Sequence, residues 1–427
     1  MIFRGDGKNN IISGNCFAKY LAPTTVDGNK TARFVGAESR NPPVTKVMMN
    51  PPFSLKRGDE KEYKFVDQAL RQMEHDGLLF SVLPYSTMVR PGKYRTWRRE
   101  VLLPHQTLVA VVTLPGDLFY PVGVTTVGVF VRKGVPHPRN QNVLWIRALN
   151  DGLLKSKGRR LPNARAADDL STVRDILRNF LNGSSATVQN RHQFLKAAPI
   201  DFEDRLLELV PEAYLDQAKP THEMVVRETE RSIRELFSFL IKTDNAVLSP
   251  HLMTKKPSLP FSVNTKWKAF NVTEIFKLKR GDFHSIADLD AGKFPTISRV
   301  STDNGLVGFF EQPPGARIYK PGTLTVSTVT GDAFLQPIPF IATDNVVLCT
   351  PKENYSELRL STLLFIQVML NEVKWRYSYG RQCYMGKFAS TEIMLPVNRA
   401  DDLDEDYMAS VVEMATYWPF VAAVFSK

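Results

Sequence analysis

Cysteine is scarce. The chain of 427 residues has three, Cys16, Cys349 and Cys383, far apart and with no CxxC pair. That spacing argues against a disulfide framework and against a thiolate zinc site, so no metal is expected and a reducing cytoplasm fits. No apolar run approaches the roughly 18 residues that a membrane helix needs. The opening "MIFRGDGKNN" holds too short an apolar stretch for a signal peptide. A cytoplasmic protein with no membrane segment is the expectation. Internal repeats and low-complexity tracts are absent from the sequence as well. Acidic residues are the minority, 44 Asp and Glu against 55 Lys and Arg, for a formal net charge of +11. Such a balance favours an acidic partner, nucleic acid first, although a solvated basic surface has the same composition. The apolar fraction of 43% is ordinary for a globular protein. The length asks for two or three domains.

Residues 1–150 alternate apolar strands with helical stretches. "NIISGN" and "TKVMMN" are strand-like. "EYKFVDQALRQMEHDG" carries Phe65, Ala69, Leu70 and Met73 at helical spacing, with Gly77 as its stop. "LLFSVLPYS" is an apolar strand closed by Pro84, the basic "KYRTWRREVL" is helix-like, and "TLVAVVTLP" and "TTVGVFVRK" are two further buried strands. The alternation predicts an α/β sheet. Ligands of such sheets bind outside the carboxyl ends of the strands.

Residues 151–262 form the expected helical spacer and linker. A polar, basic stretch comes first, then "THEMVVRETERSIRELFSFLIK", in which Met224, Ile233, Leu236, Phe237, Leu240 and Ile241 make an imperfect apolar stripe. That helix either packs on its own domain or spaces two domains apart, and the spacer is the favoured reading. "NAVLSPHLMTKKPSLPFS" is proline-rich and linker-like. Residues 263–427 change character: short β-like segments separated by turns, including Asn304-Gly305, with "SELRLSTLLFIQVMLNEVKW" as the clearest helix. A mostly β domain of α+β type is expected there.

The most informative stretch is "KVMMNPPFS". Pro51 and Pro52 lack backbone donors and fix φ, so the apolar strand before them must end and a rigid loop must follow. The loop offers an amide, Asn50, and an aromatic ring, Phe53. Either it carries chemistry, or Asn50 caps a turn and Phe53 packs in the core.

Asn50-Pro51-Pro52-Phe53 after a hydrophobic strand resembles the catalytic motif of DNA methyltransferases that modify adenine N6. The order "NIISGNCF", "NPPF", "DGLLFSVLPYSTM" and "LPGDLFYPVGVTTVGVFVRK" is similar to that of modification subunits of type I restriction-modification systems and their type II relatives. The resemblance implies a partial Rossmann-like methyltransferase sheet over residues 1–150, with S-adenosyl-L-methionine as methyl donor and double-stranded DNA as partner. It makes Asn50, Pro51, Pro52 and Phe53 the catalytic loop and Phe119, in "DLFYPVGVTT", a second apolar wall for the base, though a plain core aromatic suits Phe119 nearly as well. Residues 263–427 resemble the target-recognition domain of type I specificity subunits. Arg376, Tyr377, Tyr379, Arg381 and Lys387 interleave cations with aromatics there, as a DNA-facing surface or as a solvated basic rim.

One part of the family pattern is missing. The family places a glycine-rich turn for the methyl donor well before the NPPF loop, yet only 49 residues precede Asn50. "RGDGKNN" lacks the strand and spacing such a turn needs, and Asn15 stands where the family usually has an acidic residue. The chain is thus expected to resemble the later portion of such an enzyme, truncated at its amino end, with a second polypeptide supplying the donor-binding half. The alternative is a catalytically silent, sequence-specific DNA-binding protein.

Overall fold

The computed structural model describes residue 17 and residues 24–26, 29–31, 44–53, 58–119, 123–156, 159–163, 165–182, 189–248, 265–283 and 285–425. "RGDGKNN", "NIISGN" with Asn15, and most of the expected linker lie outside the described residues. The chain divides into two compact units, Met1–Gln217 and Ala218–Lys427.

In the first unit, β1 (Thr24–Val26) and β2 (Asn29–Thr31) pair as a small antiparallel ribbon. The main sheet is built from β3 (Val44–Met49), β4 (Met73–Pro84), β5 (Gln106–Thr113), β6 (Thr126–Lys133) and β7 (Asn142–Arg147). A separate ribbon, β8 (Leu153–Ser156) with β9 (Arg159–Pro162), precedes its last strand, β10 (Leu195–Pro199). The strand order is β10-β7-β5-β6-β4-β3. β3 pairs parallel to β4 and β5 parallel to β7, while β6 is antiparallel to both β4 and β5. The carboxyl ends of β3, β4, β5 and β7 therefore share one edge of the sheet. β5, "QTLVAVVT", is buried at every position, as a continuous apolar strand with both faces covered must be.

Helix α1 (Glu62–Gln72) buries Glu62, Val66 and Leu70. It ends five residues before Gly77, which was expected to stop it. Gly77 lies instead within β4, where a Cβ would come 2.9 Å from the Thr45 carbonyl oxygen of β3. The glycine permits close approach of two strands. Short helices α2 (Tyr85–Val89), α3 (Lys93–Thr96) and α4 (Leu103–His105) follow, with a π-helical turn at Trp97–Leu102. Helix α5 (Asp169–Leu181) packs Val173 and Leu177 against Ala110, Leu144 and Ile146 of the sheet. α6 (Pro211–Tyr214) completes the unit, and the Tyr214 ring stacks on Trp145 with centroids 3.8 Å apart.

The stretch read as a basic helix hides one of its cations. Arg98 is fully buried and donates to four backbone carbonyls: Nε to Leu207 at 2.9 Å, Nη1 to Thr87 at 2.9 Å, and Nη2 to Arg90 at 3.1 Å and Leu206 at 3.0 Å. Burial lowers its pKa to about 10, so it is charged at neutral pH. The guanidinium fork suits this task because its donors point in fixed, divergent directions.

His137, between β6 and β7, is 7% exposed, and neither ring nitrogen has a hydrogen-bond partner among the described residues. Burial lowers its pKa from 6.5 to about 4. Between those values the unfolded chain takes up a proton that the folded chain refuses, so stability present above pH 6.5 is lost as pH falls towards 4. The loss attributable to this residue is about 3 kcal/mol at most. His137→Leu should lose less stability than the parent between pH 7 and 4.5, read from urea midpoints; parallel losses would remove His137 as the cause.

The second unit is α+β. Helix α7 (His222–Lys242) is followed by β11 (Lys266–Asn271), α8 (Val272–Ile275), β12 (Phe276–Arg280), β13 (Ala291–Ile297) and β14 (Leu306–Phe310). Next come β15 (Leu324–Ser327), β16 (Ala333–Leu335), β17 (Ile341–Ala342) and β18 (Val346–Pro351). Helix α9 (Leu360–Val373), α10 (Met385–Phe388), β19 (Glu392–Val397), α11 (Glu405–Glu413) and α12 (Trp418–Phe425) complete it. The strands form sheets ordered β12-β18-β15-β16, β14-β13-β17 and β11-β19. The turn between β13 and β14 holds Asn304 and Gly305 at positive φ, 56° and 80°. α9 is apolar on all sides and buried on all sides, as the central helix of a core should be.

Residues 151–262 are shared between the units rather than forming a separate spacer. β10 joins the first sheet, and α7 buries Val225, Ile233, Leu236, Phe239 and Leu240 in the core of the second unit. The inward face of α7 also includes Thr229 and Ser232, while Ile241 is half exposed. Those inward small polar residues are why the apolar stripe read from sequence was imperfect.

Candidate functional site

Asn50 is the first residue after β3, at the edge of the sheet where β4, β5 and β7 also end. Its side chain is exposed, Pro51 is buried, Pro52 is exposed and Phe53 is half-buried. The strand ends there because the two prolines cannot donate to a ladder. The loop after β5 begins with the Leu114 N–H donating to Thr126 and turns through a Leu118 N–H to Pro115 carbonyl bond at 3.0 Å. This turn carries Phe119 to Phe53, the two rings meeting edge to face with centroids 5.5 Å apart. Two of the aromatics singled out from sequence thus come together, although 65 positions separate Phe53 from the end of the Leu114–Phe119 loop's first turn at Leu118.

Beneath this edge lies a polar cluster that sequence gave no reason to expect. The hydroxyls of Tyr85, after β4, and Thr113, at the end of β5, each donate to Glu212 Oε2 at 3.0 Å. Arg147, at the end of β7, brings Nε to 3.7 Å from Glu212 Oε1. Burial lowers the Arg147 pKa and the Glu212 charge opposes that shift. One buried carboxylate on α6 therefore ties three strand ends together, giving the loops above a stiff floor. A carboxylate so engaged is a brace, not a free base. Only a long-range contact brings it there, so no local signal could have revealed it.

The residues proposed from sequence for the recognition surface separate on inspection. The Ser378 and Arg381 backbones bond to each other in both directions at 3.0 Å, which puts Tyr379 and Gly380 at the tip of a tight turn. Tyr379 is 77% exposed there. Tyr377 is buried, its hydroxyl hydrogen-bonded with Thr391, and its ring fills the space a side chain at Gly331 would need. Tyr377 therefore anchors the turn and is not presented to a ligand, which corrects the sequence reading. Arg381 stacks over the Tyr377 ring at 5.8 Å and donates from Nη1 to the Arg376 carbonyl at 2.8 Å. Arg376 lies over the Trp375 ring at 4.6 Å, and Lys387 is half-buried on α10. Tyr384 and Met385 are exposed close by in sequence, and they were not singled out.

The described residues do not fit a cradle for the methyl donor. β3, β4, β5 and β7 lead into Asn50-Pro51, Tyr85, Leu114-Pro115-Gly116 and Ala148, none of them a glycine-rich turn. Nor, among the described residues, do three or more His, Cys, Asp or Glu side chains gather as metal ligands. No single helix among them is long and apolar enough to cross a membrane.

Comparison with known proteins assigns both regions. Residues 29–219 match the family described as N-6 DNA Methylase, and residues 264–415 match the Type I restriction modification DNA specificity domain. The chain is 33% identical over 156 residues to the type II restriction enzyme and methyltransferase RM.BcgI of Heyndrickxia coagulans, a match covering 36% of this chain and 22% of that protein. It is 24% identical over 142 residues to the specificity subunit S.BcgI of the same organism, covering 33% of this chain and 41% of the subunit. The chain thus spans less than half the length of either of these curated relatives. Among solved structures, the methyltransferase subunit of a type I restriction-modification system from Streptococcus thermophilus is 18% identical, covering 38% of this chain and 36% of that one, with a TM-score of 0.29. One region of the chain, residues 29–219, is thus similar to the N-6 DNA Methylase family, and another, residues 264–415, to the Type I restriction modification DNA specificity domain.

Proposed function

We propose that this chain methylates adenine at N6 in double-stranded DNA within a restriction-modification system, with S-adenosyl-L-methionine as the methyl-donor substrate and residues 264–415 choosing the sequence. The observation that carries this reading is Asn50-Pro51-Pro52-Phe53 at the carboxyl end of β3, with the Phe53 ring edge-on to Phe119. The exocyclic amine of adenine is a poor nucleophile because its lone pair is delocalised into the ring. The Asn50 side-chain oxygen and the Pro51 carbonyl accept hydrogen bonds from its two hydrogens, which localises the lone pair on nitrogen. No strong base is needed for this. The target base must leave the duplex, at a cost of a few kcal/mol. Stacking on Phe53, with Phe119 as the adjoining wall, returns about 1–3 kcal/mol. Exposed Tyr379, with Arg376, Arg381 and Lys387 close to it in sequence, is the candidate contact of the specificity domain with DNA.

Because the described residues offer no glycine-rich cradle, a second polypeptide is proposed to supply the donor-binding half. The deciding experiment is transfer of labelled methyl to unmodified duplex DNA, followed by nucleoside digestion. Label in N6-methyladenine is the expected result once the donor-binding polypeptide is added. Label in another base, or DNA binding without transfer under either condition, would replace the proposal with a silent DNA-binding protein.

A further inference from the structure

Phe119 sits on a loop, and loops that hold a ligand need a support of their own. The support comes from the β8–β9 ribbon. Arg160, on β9, donates from Nη1 to the Leu118 carbonyl at 3.0 Å, one residue before Phe119. Its other terminal nitrogen, Nη2, forms an ion pair with Asp151. The Asp151 side chain is 7% exposed and that of Arg160 is 27% exposed, so the pair is screened only in part by water. Asp151 is fixed in turn: its Oδ1 accepts from the Leu153 N–H at 3.1 Å, and its backbone bridges to Asp168, the residue that caps α5. Gly152, at φ 72°, lets the chain reverse between Asp151 and the ribbon, its N–H donating to the Ala167 carbonyl at 3.0 Å. A continuous series of contacts thus runs from Asp151 through Arg160 and the Leu118 carbonyl to Phe119, and across to Phe53.

We propose that Arg160, anchored by Asp151, is a positioning residue that sets the Phe119 wall against Phe53 and so fixes the gap into which the extruded base must fit. The proposal rests on reading Asn50–Phe53 as the base pocket. Arginine is the residue for this task. One end of its planar fork can hold a carbonyl while the other meets a carboxylate, whereas a lysine ammonium is a single point that cannot bridge both in fixed geometry. Arg160 touches neither base nor donor in this arrangement. Its effect passes through the backbone of Leu118.

Placing 4-fluorophenylalanine at position 119 of the full chain gives a readout that does not depend on methylation. A single fluorine line is expected in the parent, shifted or split in Arg160→Ala and in Asp151→Asn, with Arg160→Lys failing to restore it. Asp151→Asn keeps the side chain's shape, which guards against simple misfolding of the ribbon. In the methyl-transfer assay, Arg160→Ala should lower kcat about ten- to a hundred-fold, the scale expected for misplacement by about an ångström. The KM for DNA should move less than about threefold, because the contact acts on the reacting geometry and not on DNA capture. An unchanged fluorine line in both variants overturns the proposal, as does a loss confined to KM. If no protein transfers methyl to adenine, the methyltransferase reading fails separately, and the fluorine lines still decide whether Arg160 holds Phe119.

Discussion

Asn50→Ala is expected to lower methyl transfer to duplex DNA by about 10²–10³-fold, the cost of deleting one preorganised polar partner of a developing charge. In the proposed reaction the amine becomes electron-poor as it attacks the methyl sulfonium, so a bond from its hydrogen to the Asn50 oxygen would strengthen on the way to the transition state. Alanine leaves only the Pro51 carbonyl. kcat should therefore carry the loss, with little change in DNA affinity. Asn50 is exposed at a loop, so the variant should fold with stability within about 0.5 kcal/mol of the parent. Asn50→Asp keeps an acceptor oxygen in place and should retain more activity than alanine does. The comparison is made as single-turnover rates of labelled methyl incorporation with saturating DNA. Equal rates for parent and Asn50→Ala would remove this loop from the chemistry altogether.

The largest stability effect is expected at Arg98. Arg98→Met keeps the length and apolar stem but leaves the carbonyls of Thr87, Arg90, Leu206 and Leu207 without their donor. Each buried carbonyl stripped of its partner costs on the order of 1–3 kcal/mol, less where water can enter, so a total of about 4 kcal/mol is expected. Arg98→Lys should fare little better, since one ammonium cannot reach carbonyls in two separate segments. The first unit should unfold at markedly lower urea, followed by hydrogen exchange at the amides of β5 so that its transition is not mixed with that of the second unit. A shift of less than about 1 kcal/mol would mean the carbonyls find water readily and that Arg98 is no staple.

What could be read directly from the residues were features that neighbours in sequence decide. Val44–Met49 ends as a strand because Pro51 and Pro52 cannot pair, whatever surrounds them. "LVAVVT" and "VGVFVRK" are strands by β-branched composition, and α9 is a buried helix because it is apolar all round. The family resemblance rested on the same local signals, NPPF and the strands flanking it, and both domain assignments agree with it. Features that depend on distant partners were not legible. β10, "LKAAP", is too short and weakly patterned to announce itself, and joins the sheet only because β7 lies beside it. Tyr377 and Tyr379 are alike in composition and context, yet a glycine far along the chain, Gly331, makes room to bury one while a tight turn exposes the other. Arg98, Arg160 and Glu212 look like surface charges in one dimension. Each becomes a brace because folding brings carbonyls or hydroxyls from tens of residues away to where water would otherwise be. Local backbone chemistry determined the strands and the Asn50–Phe53 loop; burial, a property of the assembled chain alone, decided which polar side chains brace the neighbouring strand ends and the Phe119 loop.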